Sequence, residues 1–154
     1  MTQIKAGVVE VLVLSIAYGE LRVLLLRRAA GTRCTGAWEA VHGRIEGLEK
    51  PPEAAVREVR EETGLEIRGL YNVHSLPFYL HRDDVIQVSV VFAAFVDPGA
   101  SPTLSAEHDD AEWLGVDAAL DRLSWPRTRQ ALRDATSLLA GGDAGPLEDV
   151  LRVL

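Results

Sequence analysis

The segment GRIEGLEKPPEAAVREVREETGL spans residues 43–65. Its middle predicts a helix over Pro51–Thr63: proline is tolerated in a first turn, Ala54, Ala55, Val56 and Val59 follow, and Gly64 is placed to end it. At about 100° per residue, Glu58, Glu61 and Glu62 fall within one arc of about 100°, which also holds the small residues Ala54 and Ala55. Val56, Val59 and Thr63 share another face and are expected to anchor the helix to the core. Arg57 and Arg60 take the remaining side. Three crowded carboxylates repel, at a few tenths of a kcal/mol per pair even when exposed. A hard divalent cation with oxygen ligands reverses that sign. Taken alone, EVREE reads as a solvated, Glu-rich surface face.

The spacing around these glutamates removes the ambiguity. Gly43 is followed after five residues by Glu49, then after seven by Arg57-Glu58-Val59, then by Glu61-Glu62 and Gly64-Leu65. This is G-x5-E-x7-R-E-U-x-E-E-x-G-U, where U is a bulky aliphatic residue. In these residues the chain resembles the Nudix hydrolase family. The resemblance implies an α/β (α+β) fold, an α/β/α sandwich with a mixed β-sheet, as a single domain over residues 1–154. It implies Mg²⁺, with Mn²⁺ able to substitute, held by Glu58, Glu61 and Glu62, and hydrolysis of a nucleoside diphosphate linked to a variable group. Arg57 would orient a glutamate, Glu49 or its neighbours. Two departures lie beside the motif: His42 and Leu48 stand where glycine is frequent. Chemically the parts cohere, because cleaving pyrophosphate with water needs neutralised phosphate oxygens and a partly deprotonated water.

Outward from the motif, Val8–Ile16 and Leu21–Arg28 read as a hairpin turning at Tyr18-Gly19-Glu20. Leu24–Arg28 looks like the family's strand ending in arginine, which makes Arg28 a candidate substrate contact, together with Gly43 and with Trp38 as a pocket wall. Ala29–Ala37 reads as a loop and Trp38–His42 as a short strand. Strands are expected over Leu65–Leu76, Val85–Val96 and Ala111–Leu114, helices over Asp117–Leu123 and Pro126–Leu139, and a short apolar tail after Gly141-Gly142. Glu107-His108 with Trp113 is similar to the E-H-x-x-x-x-W segment of the dihydroneopterin triphosphate and dATP pyrophosphohydrolase branch. That comparison makes Glu107 a further metal-binding and catalytic carboxylate; the alternative is an ordinary loop acid. His42 and His108 are expected as surface or packing residues, Trp113 and Trp125 as core.

Composition narrows the function classes. With 154 residues, 47% hydrophobic and 25% charged, the chain is neither disordered nor a repeat. The formal charge of −7 argues against a nucleic-acid partner. No apolar run approaches the ~20 residues of a membrane span, and no secretory signal is visible. Cys34 is the only cysteine, which excludes an internal disulfide and points to a reducing cytoplasm. The segment Gly31–Gly36 lacks the Lys-Ser/Thr of a phosphate loop. The expected partner is a small nucleotide or nucleotide-like diphosphate, with no membrane, and with a homodimer as a compatible assembly. Hydrolysis of a nucleoside triphosphate leads, ADP-ribose or dinucleoside polyphosphate hydrolysis is the alternative, and a non-catalytic ligand-binding module is the alternative of another class.

Overall fold

In the computed structural model, which describes residues 1–154, the N-terminal apolar runs form strands β1 (Gln3–Ala17) and β2 (Glu20–Arg28). They turn through Tyr18 and Gly19, at φ 54° and 76°, the left-handed pair that a two-residue hairpin requires. Every β1 residue from Val8 to Leu14 is buried. Alternation therefore shows as sorting between two cores instead of inside against outside. Leu12 and Leu14 join Val23 and Leu25 in one cluster; Val9, Val11 and Val13 join Leu24 and Leu26 in the other.

Helices cover both faces. On one side α1 (Pro51–Thr63) adds Ala54, Ala55 and Val59 to the second cluster. On the other, α2 (Val116–Arg122) adds Ala119 and α3 (Pro126–Leu139) adds Ala131, Leu132, Ala135 and Leu139 to the first. The seven-stranded sheet between them is mixed, since β1 runs parallel to β6 (Val85–Phe95) and every other pairing is antiparallel. The architecture is thus the expected α/β/α arrangement. Truncating a fully buried leucine such as Leu12 would cost about 2–5 kcal/mol.

The hairpin splays into a fork. β1 pairs with β2 only over Val13–Ala17; its earlier residues Val8–Val11 pair with β4 (Val41–Arg44). The far end of β2, Leu26 and Arg27, pairs with β3 (Trp38–Glu39), and its outer side with β7 (His108–Gly115). The single strand expected over Trp38–His42 is therefore two, broken at Ala40, because the ribbon changes partner there. In this register His42 faces Glu10 and Gly43 faces Val9 across the strands.

Three further expectations are corrected. Strand β5 spans Gly69–Leu80, not Leu65–Leu76, because Leu65 is drawn into the core behind α1. It continues through Pro77, paired with Val88, which is tolerated because β5 is the sheet's last strand and can lose a donor. The tail after Gly142 is structured: a 3₁₀ turn and the one-turn helix α4 (Glu148–Leu151) precede a bridge from Arg152 to Tyr71. Finally, the carboxylate arc and the core face of α1 are not separate. Its buried residues are Ala54, Ala55, Glu58, Val59, Glu62 and Thr63, whereas Val56 is only half-buried. The alanines leave no room above them; their smallness lets the helix settle on the sheet and carries Glu58 and Glu62 underneath.

Candidate active site

The helix that carries the glutamates is fixed at both ends. Glu53 accepts a hydrogen bond from the Lys50 amide at 2.8 Å, and Gly64 closes the helix at φ 68°, where a side chain would strain. Between these ends Arg57 clamps the preceding loop to the helix. Its Nε and Nη2 donate to the two Glu49 carboxylate oxygens at 2.8 and 2.9 Å. Its Nη1 donates to Glu58 Oε1 at 2.7 Å and Glu61 Oε2 at 3.2 Å, and Nη2 also reaches the Arg44 carbonyl at 2.8 Å. Bidentate charge-assisted bonds of this kind fix geometry as well as charge. The arginine holds the Glu49 carboxyl down at about 2, and its own guanidinium is pushed upward by the same bonds.

Gly43 lies directly under Glu58. A Cβ built on it would stand 2.0 Å from Glu58 Cδ. Only glycine lets that carboxyl rest on β4.

Glu62 sits deepest, with 3% of its surface exposed and Oε2 without any hydrogen-bond partner. Burial, then the charges of Glu58, Glu107 and Glu39, push its carboxyl up to about 9. Burial likewise raises Glu58, against the pull of Arg57. Glu107 arrives from the other end of the chain, at the entry to β7. Its backbone carbonyl accepts from the Ala29 amide at 2.9 Å, and the adjacent His108 is buried with Nε2 2.9 Å from Glu39 Oε1. Burial works against Glu39, yet hydrogen bonds from His108 and Arg28 hold its carboxyl below the usual range.

These groups meet in a cleft of about 670 Å³ that includes Glu58, Glu61, Glu62, Glu107, Gly43 and Arg28. Of the other residues singled out in the sequence, Arg57 and Glu49 do not line it, Arg57 reaching it through its bonds to Glu58 and Glu61, and Trp38 lies elsewhere. Trp38 packs against the first core cluster beneath the guanidinium groups of Arg122 and Arg27, 4.9 and 5.8 Å from its ring. Trp125, assigned to the core from sequence, lines a neighbouring pocket instead. Also missed was Glu10, in that same pocket; its signal was present as the lone acid in the apolar run from Val8 to Ile16. Cys34 is exposed in the loop before β3, and His42 is half-buried at the cleft with Nε2 unpartnered.

The residues fit a hard divalent cation. An orphaned, buried carboxylate oxygen and mutually repelling acids are the donor set such an ion relieves. No three side chains form a finished cage; Arg57 already draws on Glu58 and Glu61, and water or ligand oxygens would complete a shell. No helix is long and apolar enough to cross a membrane.

A family model for the NUDIX domain matches residues 7–135, most of the chain. The chain belongs to the NUDIX domain family. Among the relatives by sequence, an octanoyltransferase of Myxococcus xanthus is 38% identical over 122 residues, covering 77% of this chain and 33% of that protein. The chain thus spans about a third of that relative's length. A CTP pyrophosphohydrolase of Escherichia coli is 33% identical over 100 residues, 64% of this chain and 70% of that one. Among solved structures, a C. elegans Ap4A hydrolase binary complex matches with a TM-score of 0.74 at 20% identity, covering 87% and 97% of the two chains, a likeness of fold. The E. coli dihydroneopterin triphosphate pyrophosphohydrolase matches with a TM-score of 0.63 at 26% identity, covering 81% and 92%.

Proposed function

We propose that this NUDIX chain hydrolyses a pyrophosphate linkage in a nucleoside triphosphate or a related nucleoside diphosphate-X compound, with Mg²⁺ held by Glu58, Glu61, Glu62 and Glu107. We propose further that residues 1–154 work as one unit. The observation that carries the reading is the buried Glu62 carboxylate, one oxygen unpartnered, set against Glu58 and Glu107 in one cleft. The likeness to a CTP pyrophosphohydrolase supports a nucleotide substrate.

Bound Mg²⁺ would neutralise phosphate oxygens and polarise water. The chain's residues supply the remainder. Arg57 holds Glu58 and Glu49 in place, so the acids need no reorganisation when charge develops. Arg28 and Arg44 offer positive charge along the cleft wall. Glu107 is exposed and its carboxylate bonds no other side chain, so one of its oxygens is free to accept the proton of the attacking water. The water oxygen forms the new P–O bond, the bridging P–O bond breaks, and the leaving phosphate departs with the electron pair.

The test is a panel of nucleoside triphosphates, ADP-ribose and dinucleoside tetraphosphate, with Mg²⁺, Mn²⁺ or chelator, scored for the phosphate species released. Turnover should require the metal and fall by at least about 10²-fold in Glu62→Gln with unchanged circular dichroism. Absence of turnover on every compound in both metals would overturn the reading, and turnover of ADP-ribose or the dinucleotide alone would replace the triphosphate.

A further inference from the structure

A second pocket, about 400 Å³, opens on the opposite face of the sheet, beside α3, and shares Arg28, His42 and Arg44 with the carboxylate cleft. Its most buried charged residue is Glu10, 3% exposed, in the run where β1 otherwise carries only apolar side chains. Such a residue is destabilising unless it is satisfied. Here it is only half satisfied: the Thr128 hydroxyl bonds the carboxyl, but Oε1 has no hydrogen-bond partner, and Arg127 Nε stands 3.8 Å from Oε2, beyond hydrogen-bonding distance. Arg127 Nε, a donor, is itself buried and unpartnered, as is the Gln87 side-chain oxygen in the same pocket. The wall beside them is flat. The Arg127 guanidinium lies 4.3 Å from the Phe78 ring centroid and 4.7 Å from that of Trp125, a stack suited to a planar partner. Buried groups with unused hydrogen-bonding capacity beside a planar wall match a ligand with one flat, hydrogen-bonding edge.

Resting on the hydrolase reading above, we propose that this pocket seats the nucleobase of the substrate, and that Glu10 determines specificity by accepting a hydrogen bond from a base N–H or amino group. Whether ionised or protonated, the carboxyl keeps an acceptor oxygen, so the demand for a donor on the ligand does not depend on its charge. Arg127 Nε supplies the matching donor for a ring nitrogen or carbonyl beside that amino or N–H group. The shared residues Arg28, His42 and Arg44 let one molecule occupy both cavities, base on the α3 side and phosphates on the α1 side.

The experiment compares ATP, CTP and GTP with purine riboside 5′-triphosphate, whose base carries no N–H donor, in the full chain and in Glu10→Met, a change that removes the acceptor at similar length. The wild-type protein should favour the best of the three over the donor-free nucleotide by at least about tenfold in kcat/KM, since an analogue leaving a buried polar group unpaired is rejected. Glu10→Met should shrink that ratio at least tenfold, mainly through KM. A wild-type ratio near one, or a ratio unmoved by the substitution, overturns the proposal. Because the substitution is buried, its fold is checked by circular dichroism, and the wild-type comparison decides the matter if the variant does not fold. Should no nucleotide be turned over, calorimetric binding of the same four compounds separates the two ideas: the tenfold preference in affinity supports this pocket while the hydrolase reading falls, and equal affinities overturn both.

Discussion

Replacing Glu62 by glutamine should make the metal-free protein more stable, and increasingly so as pH rises. In the unfolded chain the carboxyl ionises at its ordinary value of 4.5; in the folded protein it holds its proton to about 9. Below pH 4.5 both states are protonated and the group is neutral to folding. Between the two values the unfolded state releases a proton that the folded state keeps. Stability then falls by about 1.4 kcal/mol per pH unit, until the loss is complete above the folded value. From pH 5.5 to 7.5 that amounts to about 3 kcal/mol, roughly 6–12 °C in Tm for a chain of this size. Glutamine stays neutral at nearly constant shape and is spared this loss. The assay is thermal unfolding of both proteins in chelator at pH 5.5 and 7.5. The gap between them should widen by several degrees at the higher pH, and saturating Mg²⁺ should close it by favouring the ionised carboxylate of the wild-type protein. A gap of equal size at the two pH values would refute the buried, repelled carboxyl as the source of the strain.

Gly43→Ala, whose new Cβ would stand 2.0 Å from Glu58 Cδ, should push that carboxyl off β4, lowering kcat by at least about 10²-fold and raising the Mg²⁺ concentration for half-maximal rate; an unaltered metal requirement would show that Glu58 does not act through this contact. Glu107→Gln should lower kcat by about 10²–10⁴-fold, the range typical of a lost proton acceptor, with little change in KM. Glu112→Gln, at an exposed acid paired with Arg122 at 2.9 Å, should do little, and equal small effects from both would reduce Glu107 to a surface acid.

What could be read in advance divides along a physical line. The helix over Pro51–Thr63, its glycine stop and the glutamate arc depend on neighbours within a few residues, so spacing alone exposes them. The alliance of Arg57 with Glu49 came from the family resemblance, since Glu49 lies in the loop before α1, where helical spacing says nothing. Contacts that depend on the sheet were not. Nothing local marks Ala40 as the point where a ribbon leaves β2 for β1. Nor does helical periodicity reveal that Glu62, rather than Val56, sits near the middle of the buried face, since that depends on how closely two alanines let the helix approach. Trp38 packs on the core and Trp125 lines a pocket, the reverse of the expectation, and no local pattern separates two tryptophans that each stand beside a loop. Glu10 was visible as an interruption, but its meaning required knowing that both faces of β1 are covered.

The short ribbon in the fork has an evolutionary consequence. Successive residues of β4 point to opposite sides, Val41 and Gly43 toward α1 and His42 toward Glu10. His42 and Arg44 nonetheless line both cavities, so a substitution at either leaves the backbone under Glu58 where it is yet is felt on the two sides together. Selection acting on one cavity through these positions therefore acts on the other. Insertion or deletion of a single residue between Trp38 and Arg44 is harsher: it would turn Gly43 away from the helix, set a side chain beneath Glu58, and disable both cavities in one event. Length variation in this family member should accordingly be tolerated in the exposed loop at Gly31–Gly36 and excluded from the seven residues that follow Ala37.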